Sequence, residues 1–195
     1  MKTYAGVGSR STPVEVGYKM MEYAKRLAAL DYVLVSGGAR KPKHDTSNAV
    51  SADHVFEYAV SEVDGNMIIY RPYSNKFTPC GGRAIVRVPD DVLYEKAISY
   101  IKAHNIIPWF DKMSSWAKLL HARNYYQIVQ ENGHKVDFVI CYSEIGVDGE
   151  PMGGTRTAIK LAQKMGVKVY NLALPMDAVM LESFIKELEA KYGKG

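Results

Sequence analysis

Two rhythms of apolar residues alternate along this chain. Short apolar runs suit strands, and between them lie stretches where apolar residues return every three or four positions, as on a helix facing a core. Residues 2–6 read as a strand entering the turn Gly6-Val7-Gly8-Ser9-Arg10, and from Pro13 onward Val14, Tyr18, Met21, Leu27 and Leu30 keep helical spacing. Residues 32–35 form the next run, ending in Ser36-Gly37-Gly38-Ala39; after a polar stretch, Ala52, Val55, Phe56 and Ala59 mark a second helix. A third strand is predicted at 67–70, then an irregular stretch through Pro89 that carries Pro72, Pro79, Gly81 and Gly82. A helix over 91–104, N-capped by Asp90 or Asp91, is interrupted before Pro108, and a further helix over 115–132 closes at Gly133. Residues 136–142 are almost continuously apolar, as a parallel strand buried on both faces would be. Gly153-Gly154-Thr155 then opens a helix to about residue 165, followed by a strand at 167–172 and a terminal helix over 177–192.

This alternation predicts an α/β fold: a Rossmann-like, doubly wound, mostly parallel sheet with helices on both faces. A length of 195 residues provides for one well-buried core, so a single domain over 1–195 is expected. With 47% apolar and 24% charged residues, the composition excludes wholesale disorder. No run approaches the roughly 18–20 apolar residues of a membrane span, and the opening MKTYAGVGSR lacks the apolar segment of a signal peptide, so a cytoplasmic protein without membrane association is expected.

Cys80 and Cys141 form no CxxC pair, and Cys141 lies in an apolar run that suits a small buried hydrophobe. His44, His54, His104, His121 and His134 show no HExxH or paired spacing, so no metal is assigned and no cofactor is expected. Trp109 and Trp116 flank the break near Pro108 and read as core. The formal net charge of +4 and a pI near 8.9 permit attraction to anions, but Lys and Arg are scattered, so any nucleic-acid binding should be weak.

The chemistry concentrates in three glycine-bearing turns: Gly6, Gly8, Ser9 and Arg10; Ser36, Gly37, Gly38 and Ala39; Gly153, Gly154 and Thr155. Each follows a predicted strand and opens a helix, offering backbone N–H groups and a positive helix end to an anion. In an open α/β sheet all three fall on the edge where ligands bind. Arg10 can grip a phosphate bidentately. Asp53 and Glu57 stand one helical turn apart on one face, where two carboxylates could meet one ribose or could complement a helix dipole. Ser11 stands where GxGxxG would place its third glycine, and no GxxxxGK[ST] occurs, which disfavours Walker-type hydrolysis.

The ordered set Gly6-Val7-Gly8-Ser9-Arg10, Ser36-Gly37-Gly38-Ala39, Ala52-Asp53 with Glu57, Ala122-Arg123-Asn124, and Gly153-Gly154-Thr155 with Ala158 and Ala162 resembles the SLOG superfamily. That superfamily contains the Smf/DprA proteins, the Lonely Guy phosphoribohydrolases and YpsA-like proteins; small DprA-like and YpsA-like phage proteins are most similar. The resemblance implies a Rossmann-like nucleotide-binding fold, a ligand phosphate on the glycine turns, Arg123 and Asn124 at the ligand, and assembly into a homo-oligomer. Two departures stand out. Residues 41–50 interrupt the family's Gly-Gly-Ala-x-Gly-Ala-Asp motif, with Ser51 at a glycine position, and Thr155 is followed by Arg156, Thr157, Ala158 and Ile159 where the phosphoribohydrolases carry a catalytic Glu.

The expected function is therefore to bind a nucleotide or ADP-ribose-like small molecule, or to hydrolyse the N-glycosidic bond of a nucleoside 5′-monophosphate with Asp53 or Glu57 as the essential carboxylate. The alternatives are a DprA-like DNA-binding recombination mediator and a non-catalytic phage protein that sequesters a signalling nucleotide.

Overall fold

Six strands pair in the computed structural model, which describes residues 1–73 and 77–193. The chain runs β1 (Thr3–Gly8), α1 (Val14–Ala29), β2 (Val33–Ser36), α2 (Ala52–Glu62), β3 (Asn66–Tyr70), β4 (Arg83–Arg87), α3 (Asp91–Ala103), α4 (Ser115–Ile128), β5 (Phe138–Tyr142), α5 (Thr155–Lys164), β6 (Lys168–Asn171) and α6 (Pro175–Tyr192). The sheet order is β4-β3-β2-β1-β5-β6 and every pairing is parallel. The expected doubly wound α/β fold is therefore present. Its winding reverses beside β1, which pairs with β2 on one side and β5 on the other, and that is the switch point where such sheets hold ligands.

Alternation along the strands divides the core between the faces. Tyr4, Leu34, Phe138 and Ile140 point toward α1, α2 and α6, where Met20, Leu27, Phe56 and Ile185 meet them. Ala5, Val7, Val35, Val139 and Cys141 point the other way, toward Ile101, Tyr126 and Leu161 of α3, α4 and α5. Each large side chain so buried stabilises the fold by about 1.5–3 kcal/mol. The Tyr4 and Phe138 rings stack at 5.8 Å across the β1–β5 pair. The helices start where local chemistry places them: Asp90 accepts from the Leu93 N–H at 2.8 Å, Ser114 from the Ala117 N–H at 3.3 Å, and Pro175 begins α6.

Four local expectations need correction. β1 runs on through Gly8 instead of ending at Gly6, so part of the first glycine turn is strand. The irregular stretch contains β4, an exposed edge strand in which Arg83 and Arg87 flank three apolar residues, a sequence without a one-sided pattern. Residues 74–76 of that stretch lie outside the described residues. α4 ends at Ile128, because Val129 is extended and bridges Lys135 across a tight return in which Gly133 adopts φ +82°. Finally, Trp109 and Trp116 are 45% and 56% exposed and are not core.

Candidate functional site

The first two glycine turns are tied together by Asp53. The Ala39 N–H donates to Asp53 Oδ2 at 3.1 Å, and the Gly8 N–H also bonds this carboxylate. Ser51 Oγ donates to the Ala39 carbonyl at 2.9 Å, so the excursion over residues 40–51 returns to its starting point and delivers α2 beside the turn. The return leg is also paired to the first turn: Thr12 and Val50 exchange two backbone hydrogen bonds at 2.9 and 2.8 Å, and the Ala52 N–H donates to the Ser9 carbonyl. The second turn therefore does not open a helix directly, as its sequence suggests, but reaches one through this loop.

Close packing explains two of the glycines. A Cβ on Gly6 would lie 2.6 Å from Leu34 and 2.7 Å from Phe56, and one on Gly8 would lie 2.6 Å from Ala52. Glycine at these positions lets β1 approach β2 and α2. The Ser9 N–H is taken by the Tyr142 carbonyl at 3.0 Å, and Arg10 stands exposed at the rim.

Behind these turns lies a buried charge pair. Asp53 is 3% exposed and Arg123, from α4, is 8% exposed. Burial pushes the Asp53 carboxyl above its ordinary range, opposed by the Arg123 charge and the two N–H donors. Burial likewise lowers Arg123, with Asp53 opposing. The Arg123 guanidinium occupies the space a side chain on residue 37 would need: a Cβ there would fall 1.3 Å from Nη1. Arg123 Nε and Nη1 and Gln127 Nε2 are buried without a hydrogen-bond partner among the described residues. These three donors could each serve an anionic or carbonyl oxygen.

Glu57 serves a different neighbourhood. It is fully buried; its Oε1 accepts from Arg40 Nη2 and from the Cys80 N–H, both at 2.6 Å. It holds Arg40 and Cys80 against α2. Cys80 Sγ lies 3.5 Å from His54 Nδ1, but burial, with the Glu57 charge, pushes the thiol up to about 11, so it stays protonated at neutral pH and is no activated nucleophile. Above the second turn Phe77 lies between Arg40 and Arg71, at 4.9 and 4.4 Å, and Arg71 Nη1 donates to the Gly38 carbonyl at 2.8 Å.

The third turn is the open one. Gly153 adopts φ +67°, and among the described residues a Cβ on Gly153 or Gly154 would meet nothing within 4 Å. Thr155 begins α5, whose first turn carries no acidic residue. Asn124 Nδ2 donates to the Gly154 carbonyl at 3.3 Å, and Ser143 Oγ donates to that of Met152 at 2.9 Å, which holds the loop on α4 and β5. Beside it lies a cleft of about 290 Å³ lined by Ile106, Trp109, Met113, His121, Gly154 and Arg156 among others.

One turn of α4 thus serves both places: Arg123 and Gln127 face Gly37, while His121 and Asn124 face the start of α5. Sequence reasoning named Asp53, Arg123, Asn124 and the turns, and these converge on the carboxyl edge. It missed Arg40, Arg71, Cys80 and Gln127. Gln127 was findable, since it lies one helical turn beyond Arg123 on the same face. Among the described residues no group of three or more His, Cys, Asp or Glu is placed to hold a metal ion, and no helix is long and apolar enough to cross a membrane.

No family model matches the chain, and no curated protein does. Among solved structures it is similar to DNA processing protein A from Helicobacter pylori, described for its single-stranded DNA binding mode: TM-score 0.59 at 17% identity, over 98% of this chain and 81% of that one. It is similar to the protein TM1055 with a TM-score of 0.51 at 18% identity, over 87% and 72%. The molybdenum cofactor carrier protein from Chlamydomonas reinhardtii gives 0.51 at 16% identity, over 98% and 86%. This chain therefore shares its Rossmann-like fold with DNA processing protein A and the molybdenum cofactor carrier protein.

Proposed function

We propose that this protein binds a phosphate-bearing nucleotide or ADP-ribose-like molecule at the carboxyl edge of its sheet, with the phosphate on Gly153, Gly154 and Thr155. One observation carries this reading: the third turn is open at the N-terminus of a ten-residue helix and borders a cleft, whereas the Asp53 carboxylate already takes N–H groups from the other two turns. An anion meets a helix N-terminus favourably where no Cβ blocks the backbone. Asn124 supports this turn through its hydrogen bond to the Gly154 carbonyl. The neighbours fit the reading, one described for binding single-stranded DNA and another named for carrying a cofactor.

Cleavage of the ligand's N-glycosidic bond is the finer reading. What favours it is Asp53, a buried carboxylate at the switch point whose proton affinity is raised by burial. Such a group can stabilise the positive charge that develops on a sugar ring. Glu57, held by Arg40 and the Cys80 N–H, is suited to fixing those two residues against α2.

A thermal-shift panel of nucleoside mono-, di- and triphosphates with ADP-ribose tests the binding reading. At least one member should raise the melting temperature, since a ligand that binds only the folded state stabilises it by about 2.7 kcal/mol at a hundredfold excess over Kd. A panel without any shift overturns it.

A further inference from the structure

Segment 106–113, between α3 and α4, forms a wall opposite the start of α5. Ile106 and Ile107 are buried, yet Trp109, expected in the core, stands half exposed and lines the cleft beside Gly153 and Gly154. Leaving a large indole in contact with water costs hydrophobic stabilisation, and exposed aromatics at concave sites are the usual platforms for flat ligands.

The surroundings of the ring keep it in place. The Arg156 guanidinium lies over the indole at 5.4 Å and is oriented by Asp148 at 3.6 Å and Glu150 at 3.7 Å. Trp109 and Arg156 thus offer two planar groups to the same cleft, and both stack well on heteroaromatic rings. Across from them His121 Nδ1 lies 2.7 Å from Thr157 Oγ1, which fixes the imidazole and leaves Nε2 for the cleft. Burial, then the Arg123 charge, lowers this histidine, so it is neutral at pH 7 and one of its nitrogens can accept.

We propose that this cleft is the base subsite: a purine or pyrimidine ring stacks on Trp109 and Arg156, and its edge hydrogen-bonds His121, while the attached phosphate lies on Gly153 and Gly154. The proposal rests on the binding reading above and adds the place of the base. Its volume of about 290 Å³ lies just below the roughly 300–1,000 Å³ range of small-molecule sites, which limits it to a small unit such as one base.

The test is calorimetric titration with 5′-AMP, GMP, CMP and UMP, and with ribose 5-phosphate, which has the phosphate and lacks the base. Trp109→Ala should weaken the preferred monophosphate by roughly tenfold or more, toward the affinity of ribose 5-phosphate, as expected when an aromatic base platform is removed. The affinity for ribose 5-phosphate should stay at its wild-type value, and Trp109→Phe should restore most of the loss. In a Trp116→Phe background the same monophosphate should quench the fluorescence of Trp109. If Trp109→Ala binds monophosphates as wild type does, or weakens ribose 5-phosphate equally, the base does not stack there, although the phosphate reading stands. If no monophosphate and no ribose 5-phosphate binds the wild-type protein, both readings fall.

Discussion

Asp53 accepts the backbone N–H of Ala39 at 3.1 Å, although the chain makes a long excursion between them. This bond, with the second from Gly8, closes two glycine turns around one internal carboxylate. The position an external anion would take between those turns is thereby filled by the protein itself. That is why the third turn carries the binding reading.

Removing this carboxylate should be costly. Asp53→Ala leaves Arg123 buried without its counter-charge and two N–H groups without acceptors, for an expected loss of about 3 kcal/mol in urea unfolding. Asp53→Asn, which keeps one acceptor oxygen, should lose less. Equal stabilities of wild type and Asp53→Ala would show that the carboxylate does not organise the turns.

The same residue sets a pH dependence. Burial raises its folded-state pKa above the unfolded value of about 3.9, so across that window the folded protein holds the proton more tightly. Its contribution to stability is then greatest below pH 4 and declines as pH rises through the raised pKa. The stability of wild type relative to Asp53→Asn should fall over that interval, measured by denaturant titrations at stepped pH. A rise would mean that Arg123 and the N–H donors outweigh burial.

The glycines should separate by role. Gly37→Ala puts a methyl group where the Arg123 guanidinium sits and should lower the melting temperature markedly. Gly154→Val meets open space, so it should keep the fold while abolishing the nucleotide-induced thermal shift, because its side chain covers the backbone of the turn. Retained binding in Gly154→Val would move the phosphate to another turn.

If the protein cleaves its ligand, chromatography should detect free base released from a nucleoside 5′-monophosphate. Asp53→Asn should then cut turnover by about two orders of magnitude or more while nucleotide binding persists. Glu57→Gln should act mainly on stability, since Glu57 anchors Arg40 and Cys80. Full activity in Asp53→Asn would discard the carboxylate mechanism.

Much of this arrangement was legible in the sequence because it depends on local signals. The strand-helix alternation, the three turns and the Asp90 cap follow from periodicity and turn chemistry, and Asp53 and Arg123 were named without knowing that they meet. What escaped depends on tertiary placement. β4 gains its identity only from pairing with β3, since Arg83-Ala84-Ile85-Val86-Arg87 shows no buried face. Trp109 looks like core by composition, and only the fold sets it at a cleft. Arg40 and Cys80 reach Glu57 through loops whose paths no spacing rule gives. The likeness to DNA processing protein A likewise settles the fold and leaves the ligand to the site's own chemistry.

DNA binding offers a separate check. With a net charge of only +4, affinity for single-stranded DNA at physiological salt should stay in the nonspecific range of about 10⁻⁴–10⁻⁶ M. Tight binding with a steep salt dependence in a mobility-shift assay would favour the recombination-mediator reading instead.

The central claim is that a ligand phosphate lies on the third glycine turn, and comparing each nucleoside 5′-monophosphate with its own nucleoside by calorimetry tests it most directly. The pair differs only in the group that the turn is expected to hold. The account predicts that at least one monophosphate binds and that its nucleoside binds roughly tenfold more weakly or worse, as loss of charge-assisted hydrogen bonds to a helix N-terminus requires. Equal affinities within every pair, or no binding by any monophosphate, would contradict it.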